Sequence, residues 1–508
     1  MGVLGIDIGT NGCKGVLIDS EGRICGTSYK EYSMYFPQTG WVEHDPEEVM
    51  STVIEVIKGT LRDARCEGEA VEAVGLCSHM HSPTFVGKDG RHLYNMIVWL
   101  DQRSVKEAKY IKDKYGEVVY QETLNPITAT FTLPQILWMK RHKREIYDKS
   151  WKILQPKDYV AFRMTGEAYT DRGMATSTLL VNIHTLEWSN KILELFEIDR
   201  EKLPDIVNAT NIIGEITEEF SEYTGISRGT PVVAGSGDAI AECFAAGIKR
   251  EGDLLLRMGT AGALFVAVEK PVEEPTRSMF NFGYAIPNVW LAIATTQTCG
   301  LSLRWFRDVF CRKELEEAER RGISVYEILN KMAEGVPAGS EGLIFHPYLI
   351  GERGIYWDPY LRGSFVGITA SHKLDHFVRA VMEGVAFSLR DALRPLEYLK
   401  IGLREVKLIG GGSKSKVWRE IVSNVLNIEV HIPTFVDASL GSALLGAVGQ
   451  GIFKNMEEAV EKTLKIGTTV KPSIESVEKY NKIFEIYREI HDGLEGINHR
   501  LVGLQESK

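Results

Sequence analysis

Two short turns in opposite halves of the chain constrain its fold more than any other feature. Val3-Leu4-Gly5-Ile6-Asp7-Ile8 runs into Gly9-Thr10-Asn11-Gly12 and then a second apolar stretch to Asp19. Asp253-Leu254-Leu255-Leu256-Arg257-Met258 runs likewise into Gly259-Thr260-Ala261-Gly262 and an apolar stretch to Val268. Each unit reads as a β-hairpin. Glycine has no Cβ, so the N–H groups of such a turn can close on phosphate oxygens, with a threonine hydroxyl as a further donor. One Gly-Thr hairpin is an ordinary connector. Two of them, one in each half, point to related domains sharing a phosphate cleft.

At 508 residues the chain suits two domains of about 250 residues each. The hairpin pattern restarts after Gly252, which divides the chain into residues 1–250 and 251–508. Hydrophobic residues at 44% and charged residues at 25% are those of a soluble globular protein. A formal charge of -10 argues against nucleic acid or an anionic membrane as partner, and leaves room for a small anion in a locally positive site. No apolar run reaches the roughly 18 residues of a membrane span, and the N-terminus enters a strand without a leader, so a cytoplasmic protein is expected. Seven scattered cysteines without a C-x-x-C pair indicate neither a disulfide framework nor a zinc site.

Asp45-Pro46-Glu47-Glu48 predicts a helix start. Val71 to Cys77 predicts a buried strand that ends in Ser78-His79-Met80-His81-Ser82, a polar loop where open α/β sheets place ligand contacts. Further helices are expected over 104–115, 239–248, 375–399 and 414–426, strands over 23–32, 289–295 and 406–409, and a peripheral amphipathic helix over about 476–494.

Asp7 and Asp238 sit beside glycines that leave room for a ligand; paired carboxylates can hold a metal and act as a general base, or simply cap a hairpin and a helix. Gly410-Gly411-Gly412-Ser413, between a strand and a helix, would let a base or sugar approach the backbone at a helix N-terminus, although neither Rossmann nor Walker spacing is present. His79 and His81, without H-E-x-x-H or a nearby cysteine, suit hydrogen bonding to a ligand hydroxyl better than metal ligation.

These residues, with Gly40-Trp41-Val42-Glu43-His44-Asp45-Pro46, Trp99-Leu100-Asp101-Gln102-Arg103, Pro156-Lys157-Asp158-Tyr159 and Pro347 to Arg353, resemble the FGGY carbohydrate kinases along nearly the whole chain. Gly363-x-Phe365-x-Gly367-Ile368 followed by His376-Phe377-x-x-Ala380-Val381-Met382-Glu383 is the most specific piece; the other family signature departs from its pattern, with Gln135 where lysine is usual. The resemblance implies an α/β fold of two actin-like, ribonuclease H-like domains around an interdomain cleft. It implies Asp238 as catalytic base, Asp7 as holder of Mg²⁺, and Met80, His81, Trp99 and Ala239 beside the sugar. Thr10, Asn11, Lys14, Gly259, Thr260, Gly300, Gly410, Gly411 and Ser413 would border ATP. Met80-His81 and the Gly40–Pro46 segment look most like xylulose kinases, and Met80-His81-Ser82 also suits gluconate kinases. Ala239 stands where xylulose kinases usually carry asparagine, so the accepted polyol can differ. A homodimer is left open. The competing class is an actin-like ATPase scaffold, which would show no dependence on sugar.

Overall fold

The described residues, 2–506 of the computed structural model, form two large mixed sheets. The first holds β1 (Gly2–Ile8), β2 (Gly12–Asp19), β3 (Ile24–Glu31), β4 (Val71–Ser78), β5 (Ile212–Glu215) and β6 (Pro231–Gly237), in the order β5-β6-β4-β1-β2-β3. The second holds β7 (Asp253–Met258), β8 (Gly262–Val268), β9 (Phe280–Gly283), β10 (Trp290–Thr296), β11 (Glu405–Ile409), β12 (Val430–Pro433) and β13 (Ile466–Val470), in the order β9-β10-β8-β7-β11-β12-β13. The two sheets share three antiparallel strands (β3-β2-β1 and β10-β8-β7), then two parallel ones (β4-β6 and β11-β12) and an antiparallel edge (β5 and β13); the second sheet adds β9, antiparallel to β10. The edge strand precedes its neighbour in one half and follows it in the other. The two Gly-Thr hairpins, β1-β2 and β7-β8, occupy equivalent places.

Alternation along these strands decides what reaches the cleft. In β1, Leu4, Ile6 and Ile8 enter a cluster with Val49, Val53 and Ile57 of α1 (Pro46–Asp63), so Gly5 and Asp7 lie on the other face. In β7, Leu254, Leu256 and Met258 enter the outer cluster of the second half, while Leu255 joins the cluster between the sheets and Arg257 shares its face. Asp7 and Arg257 each stand two residues before the turn glycine. They are counterparts of opposite charge.

Two helices fill the space between the sheets. These are α2 (Asp238–Ala245), which follows β6, and, after α3 (Leu374–Ala392), α4 (Ala438–Gly449), which follows β12. Although α4 belongs in sequence to the second half, it packs on β1 and β4 of the first sheet and against α2. The approach tolerates no side chain: a Cβ on Gly75 would lie 1.9 Å from Ser442 O, and one on Gly441 1.9 Å from Ala241 O. Val3, Phe244, Leu255, Phe265 and Leu444 share one buried cluster, so the sheets are joined by a common apolar core.

Local signals set several boundaries. Asp45 caps α1, accepting from Glu47 N at 2.9 Å, and Pro46 occupies the first turn. The helix expected over 104–115 continues as Val105–Thr123. The single helix expected over 375–399 is two: α3 ends at Ala392, and Arg394–Tyr398 restarts around Pro395, which has no N–H to continue the ladder. The helix expected from Lys414 begins at Lys416, after a 3₁₀ turn (Gly411–Lys414) and a Ser415 cap. The last helix, α5 (Ile474–Glu506), is longer than expected and less peripheral. Its Tyr480 and Tyr487 are fully buried, and Tyr487 hydrogen-bonds Tyr348 at 2.8 Å. All seven cysteines are free, and no helix among the described residues is long and apolar enough to cross a membrane.

Candidate active site

The second hairpin separates two cavities. One, of about 380 Å³, is lined from the first half by Thr10, Met80, His81, Trp99, Asp238 and Ala239, all expected beside ligands. The other, of about 560 Å³, takes in Gly259, Thr260, Gly300 and Gly411 together with Tyr326, Asn330 and Trp418. Both volumes suit small-molecule sites.

Asp238 is the first residue of α2, directly after the strand Pro231–Gly237, so the end of β6 delivers its carboxylate to the smaller cavity. It does cap locally: Oδ1 accepts from Ala239 N at 2.7 Å. Desolvation raises its pKa above the usual carboxylate range, against the opposing pull of Arg257 and of the Ala239 N–H. Met80 packs against Gly237 beside it. His81 is held in the left-handed region, at φ 66°, a strained conformation for a side chain with a Cβ. Its Nδ1 donates to Ser177 O at 2.6 Å. Burial lowers its pKa to about 4, so the ring is neutral and Nε2 is left as an acceptor.

Trp99 reaches the cavity through a buried ion cluster. Arg103 pairs with Asp101 and Glu43, each at 2.8 Å, while its guanidinium lies 3.9 Å from the Trp41 ring centroid and 5.1 Å from that of Trp138. Asp101 also accepts from Val42 N at 2.5 Å. The Gly40–Pro46 and Trp99–Arg103 segments, far apart in sequence, are thereby locked together. Trp99 Nε1 then donates to Thr10 Oγ1 at 3.0 Å, which draws Thr10 toward the smaller cavity rather than the Thr260 side.

The remaining expected residues fall differently. Gly410 has φ 90°, and a Cβ there would meet Met258 O at 2.6 Å, so the strand–helix turn requires glycine. Ser413 turns inward, donating to Gly410 O at 2.7 Å, and the larger cavity meets Gly411, Gly412, Lys414 and Ser415 instead. The 3₁₀ turn is the cause, because it rotates Ser413 beneath the loop. Lys14, expected beside phosphates, is paired with Asp437 at the N-terminus of α4. Asn11 is exposed on the first turn. Neither Gly9 nor Gly259 has a positive φ; each makes a tight turn through its own N–H, to Gly12 O at 2.9 Å and Ala261 O at 3.2 Å. Gly300 N donates to Gly259 O at 2.8 Å, docking the helix Gly300–Phe310 on the second turn.

Asp7 accepts from Cys77 Sγ at 3.5 Å and caps nothing. Its pKa is pushed well up, first by desolvation, then by Asp238, with smaller contributions from Asp437 and Glu242. Asp7 forms no ion pair among the described residues, and its oxygens are of the hard kind that Mg²⁺ prefers, although they do not gather with two further ligand atoms into one cluster. Sequence reasoning missed the second half's share of the smaller cavity: Arg257, Phe280, Phe282, Arg353 and Trp357. Arg257, ion-paired to Glu242 at 3.1 Å, could have been found by aligning the hairpins, since it takes the place of Asp7.

Comparison with known proteins gives this site its family. Residues 2–245 match the N-terminal domain of the FGGY family of carbohydrate kinases, and residues 254–450 match its C-terminal domain. The chain is 31% identical to a xylulose kinase of Lactococcus lactis subsp. lactis (strain IL1403) over 98% of both chains. It is also 31% identical to a gluconokinase of Bacillus subtilis (strain 168), covering 96% of this chain and 94% of that one. The crystal structure of ligand-bound xylulose kinase from Lactobacillus acidophilus matches with a TM-score of 0.90 at 28% identity, over 98% of this chain and 99% of that one. With both domains matched in order along one chain, the protein belongs to the FGGY family of carbohydrate kinases.

Proposed function

We propose that this kinase transfers the γ-phosphoryl group of ATP to a hydroxyl of a ketopentose such as D-xylulose, with Asp238 as general base. The observation that carries this reading is the Asp238 carboxylate at the head of α2, opening into a cavity lined by both halves and adjoining the second Gly-Thr turn. The acceptor hydroxyl gives its proton to Asp238 as its oxygen bonds the phosphorus, and ADP leaves with the electrons of the broken P–O bond. A carboxylate held above its usual pKa range is a stronger base toward that proton than a solvated one.

The larger cavity suits the nucleotide. Gly411 and Gly412 line it without side chains, and Gly259 and Thr260 border it from the hairpin, where the Thr260 hydroxyl is a donor suited to phosphate. Mg²⁺, held by Asp7, would supply charge neutralisation at the phosphates. In this arrangement Lys14 exchanges Asp437 for a phosphate oxygen, and Thr10, fixed by Trp99, borders the junction between acceptor and donor.

Gluconate is the second reading. It is favoured by Arg353, which lines the acceptor cavity with no ion pair among the described residues, and by Arg257, which lines the same cavity while paired with Glu242, since guanidinium groups suit a carboxylate. ADP release across ketoses, polyols and aldonates tests both. Turnover with D-xylulose supports the first reading and preference for gluconate the second; no acceptor-stimulated turnover at all overturns the kinase assignment of the site.

A further inference from the structure

Two polar atoms on the walls of the acceptor cavity are left without partners. His79 is 2% exposed, lines the cavity from the first half, and has no hydrogen bond at Nε2. Thr295, on β10, lines it from the second half, and its buried Oγ1 is likewise unpartnered. Buried side-chain atoms without partners occur elsewhere in the protein, but these two belong to residues that line one cavity from opposite halves, where a single ligand could satisfy both.

The neighbours of His79 fix its role. Ser82 Oγ accepts from Trp99 N at 3.1 Å and contacts both Met80 O at 3.2 Å and His79 Nδ1 at 3.0 Å. Nδ1 is thereby engaged inside the protein, and Nε2 is the ring nitrogen left for a ligand. A hydroxyl, which both donates and accepts, pairs with Nε2 in either tautomer. Thr295, whose hydroxyl can donate or accept, meets a second oxygen from the other sheet.

We propose that His79 Nε2 and Thr295 Oγ1 are specificity-determining contacts for two non-reacting hydroxyls of the acceptor polyol, one contact from each half of the protein. The inference rests on the acceptor-site reading of this cavity and goes beyond it by naming which atoms select the hydroxyl pattern. Asp238 acts on the reacting hydroxyl; His79 and Thr295 require hydroxyls elsewhere on the same chain of carbons. Stereoisomers that move either hydroxyl leave one orphan unsatisfied and are rejected.

The test is binding without nucleotide, measured by titration calorimetry with D-xylulose, D-ribulose, gluconate and monodeoxy analogues. Thr295→Val preserves shape and removes the hydroxyl; His79→Phe removes the ring nitrogens, and His79→Gln restores a polar group near the same place. Each loss is expected to weaken the preferred polyol about 10- to 100-fold, with His79→Gln recovering most of it. For each of Thr295→Val and His79→Phe, one monodeoxy analogue should bind the variant as well as the parent polyol does. Additive losses, with no analogue coupled to either variant, overturn the proposal, as does a folded wild type that binds no polyol. Turnover is scored separately: a protein that binds with coupling but releases no ADP defeats the kinase reading alone, and one that turns over without coupling defeats this inference alone.

Discussion

Replacing Arg103 by methionine tests whether the buried ion cluster is what shapes the acceptor wall. Methionine keeps apolar bulk between Trp41 and Trp138 but removes the cation. The Arg103 side chain is 0% exposed, as is Asp101, and Glu43 is 5% exposed. Two carboxylates would thus remain in the interior without a countercharge. Breaking a buried pair in this way costs about 3–5 kcal/mol. At about 2–4 °C per kcal/mol for a unit of this size, the first half should melt roughly 6–20 °C lower. Calorimetry resolves the effect if the halves unfold separately; amide exchange at Val42 and Arg103, whose N–H groups both bond Asp101, resolves it even if they do not. The triple variant Glu43→Gln, Asp101→Asn, Arg103→Met removes the charges together and should recover most of the loss. A single variant that melts within about 2 °C of the wild type, or a triple variant no better than the single, would refute the account.

Asp238→Asn should retain acceptor binding, because an amide oxygen can still accept from Ala239 N, while turnover falls by on the order of 10² to 10⁴; near-normal turnover would reduce Asp238 to a helix cap. Ala239→Asn adds an amide to the cavity wall and should reorder the preference among ketoses, and an unchanged ranking removes the position from the specificity argument. Glu352 is buried and accepts from Thr296 Oγ1 and Gln297 N; desolvation raises its pKa to about 7. Its ionised form is disfavoured in the fold, so stability is lost as pH rises from about 4.5 through 7, by up to about 3 kcal/mol. Glu352→Gln should therefore melt higher than the wild type at pH 8.5, with the gap closing toward pH 5 in a thermal-shift series; a gap independent of pH contradicts this.

What the sequence made legible was local. Asp45-Pro46 announced α1 because a cap and a proline act within one turn, and Asp238 stood out as a carboxylate ending a small-residue strand. The duplicated hairpin implied two related sheets, and the shared strand order bears that out. Tertiary meetings were hidden. Phe131, Phe280 and Trp357 come from distant segments, and nothing in their local composition says that they face one cavity. Gly410-Gly411-Gly412-Ser413 gave composition without orientation, so the inward turn of Ser413 required the backbone. Arg257 was passed over inside an apolar strand because its importance comes from the face it shares, not from its neighbours.

The placement of α4 on the opposite sheet bears on how such a protein can be dissected. A fragment ending near residue 250 would carry β1 and β4 but leave uncovered the groove at Gly75 into which α4 fits. Fragment complementation, rather than independent refolding, is the behaviour to expect of the separated pieces: each half-gene product should stay soluble only when its sibling is co-expressed. By the same token, a permuted chain starting near residue 252 should tolerate its new ends, because the embrace depends on adjacency in space and not on the peptide bond between the halves.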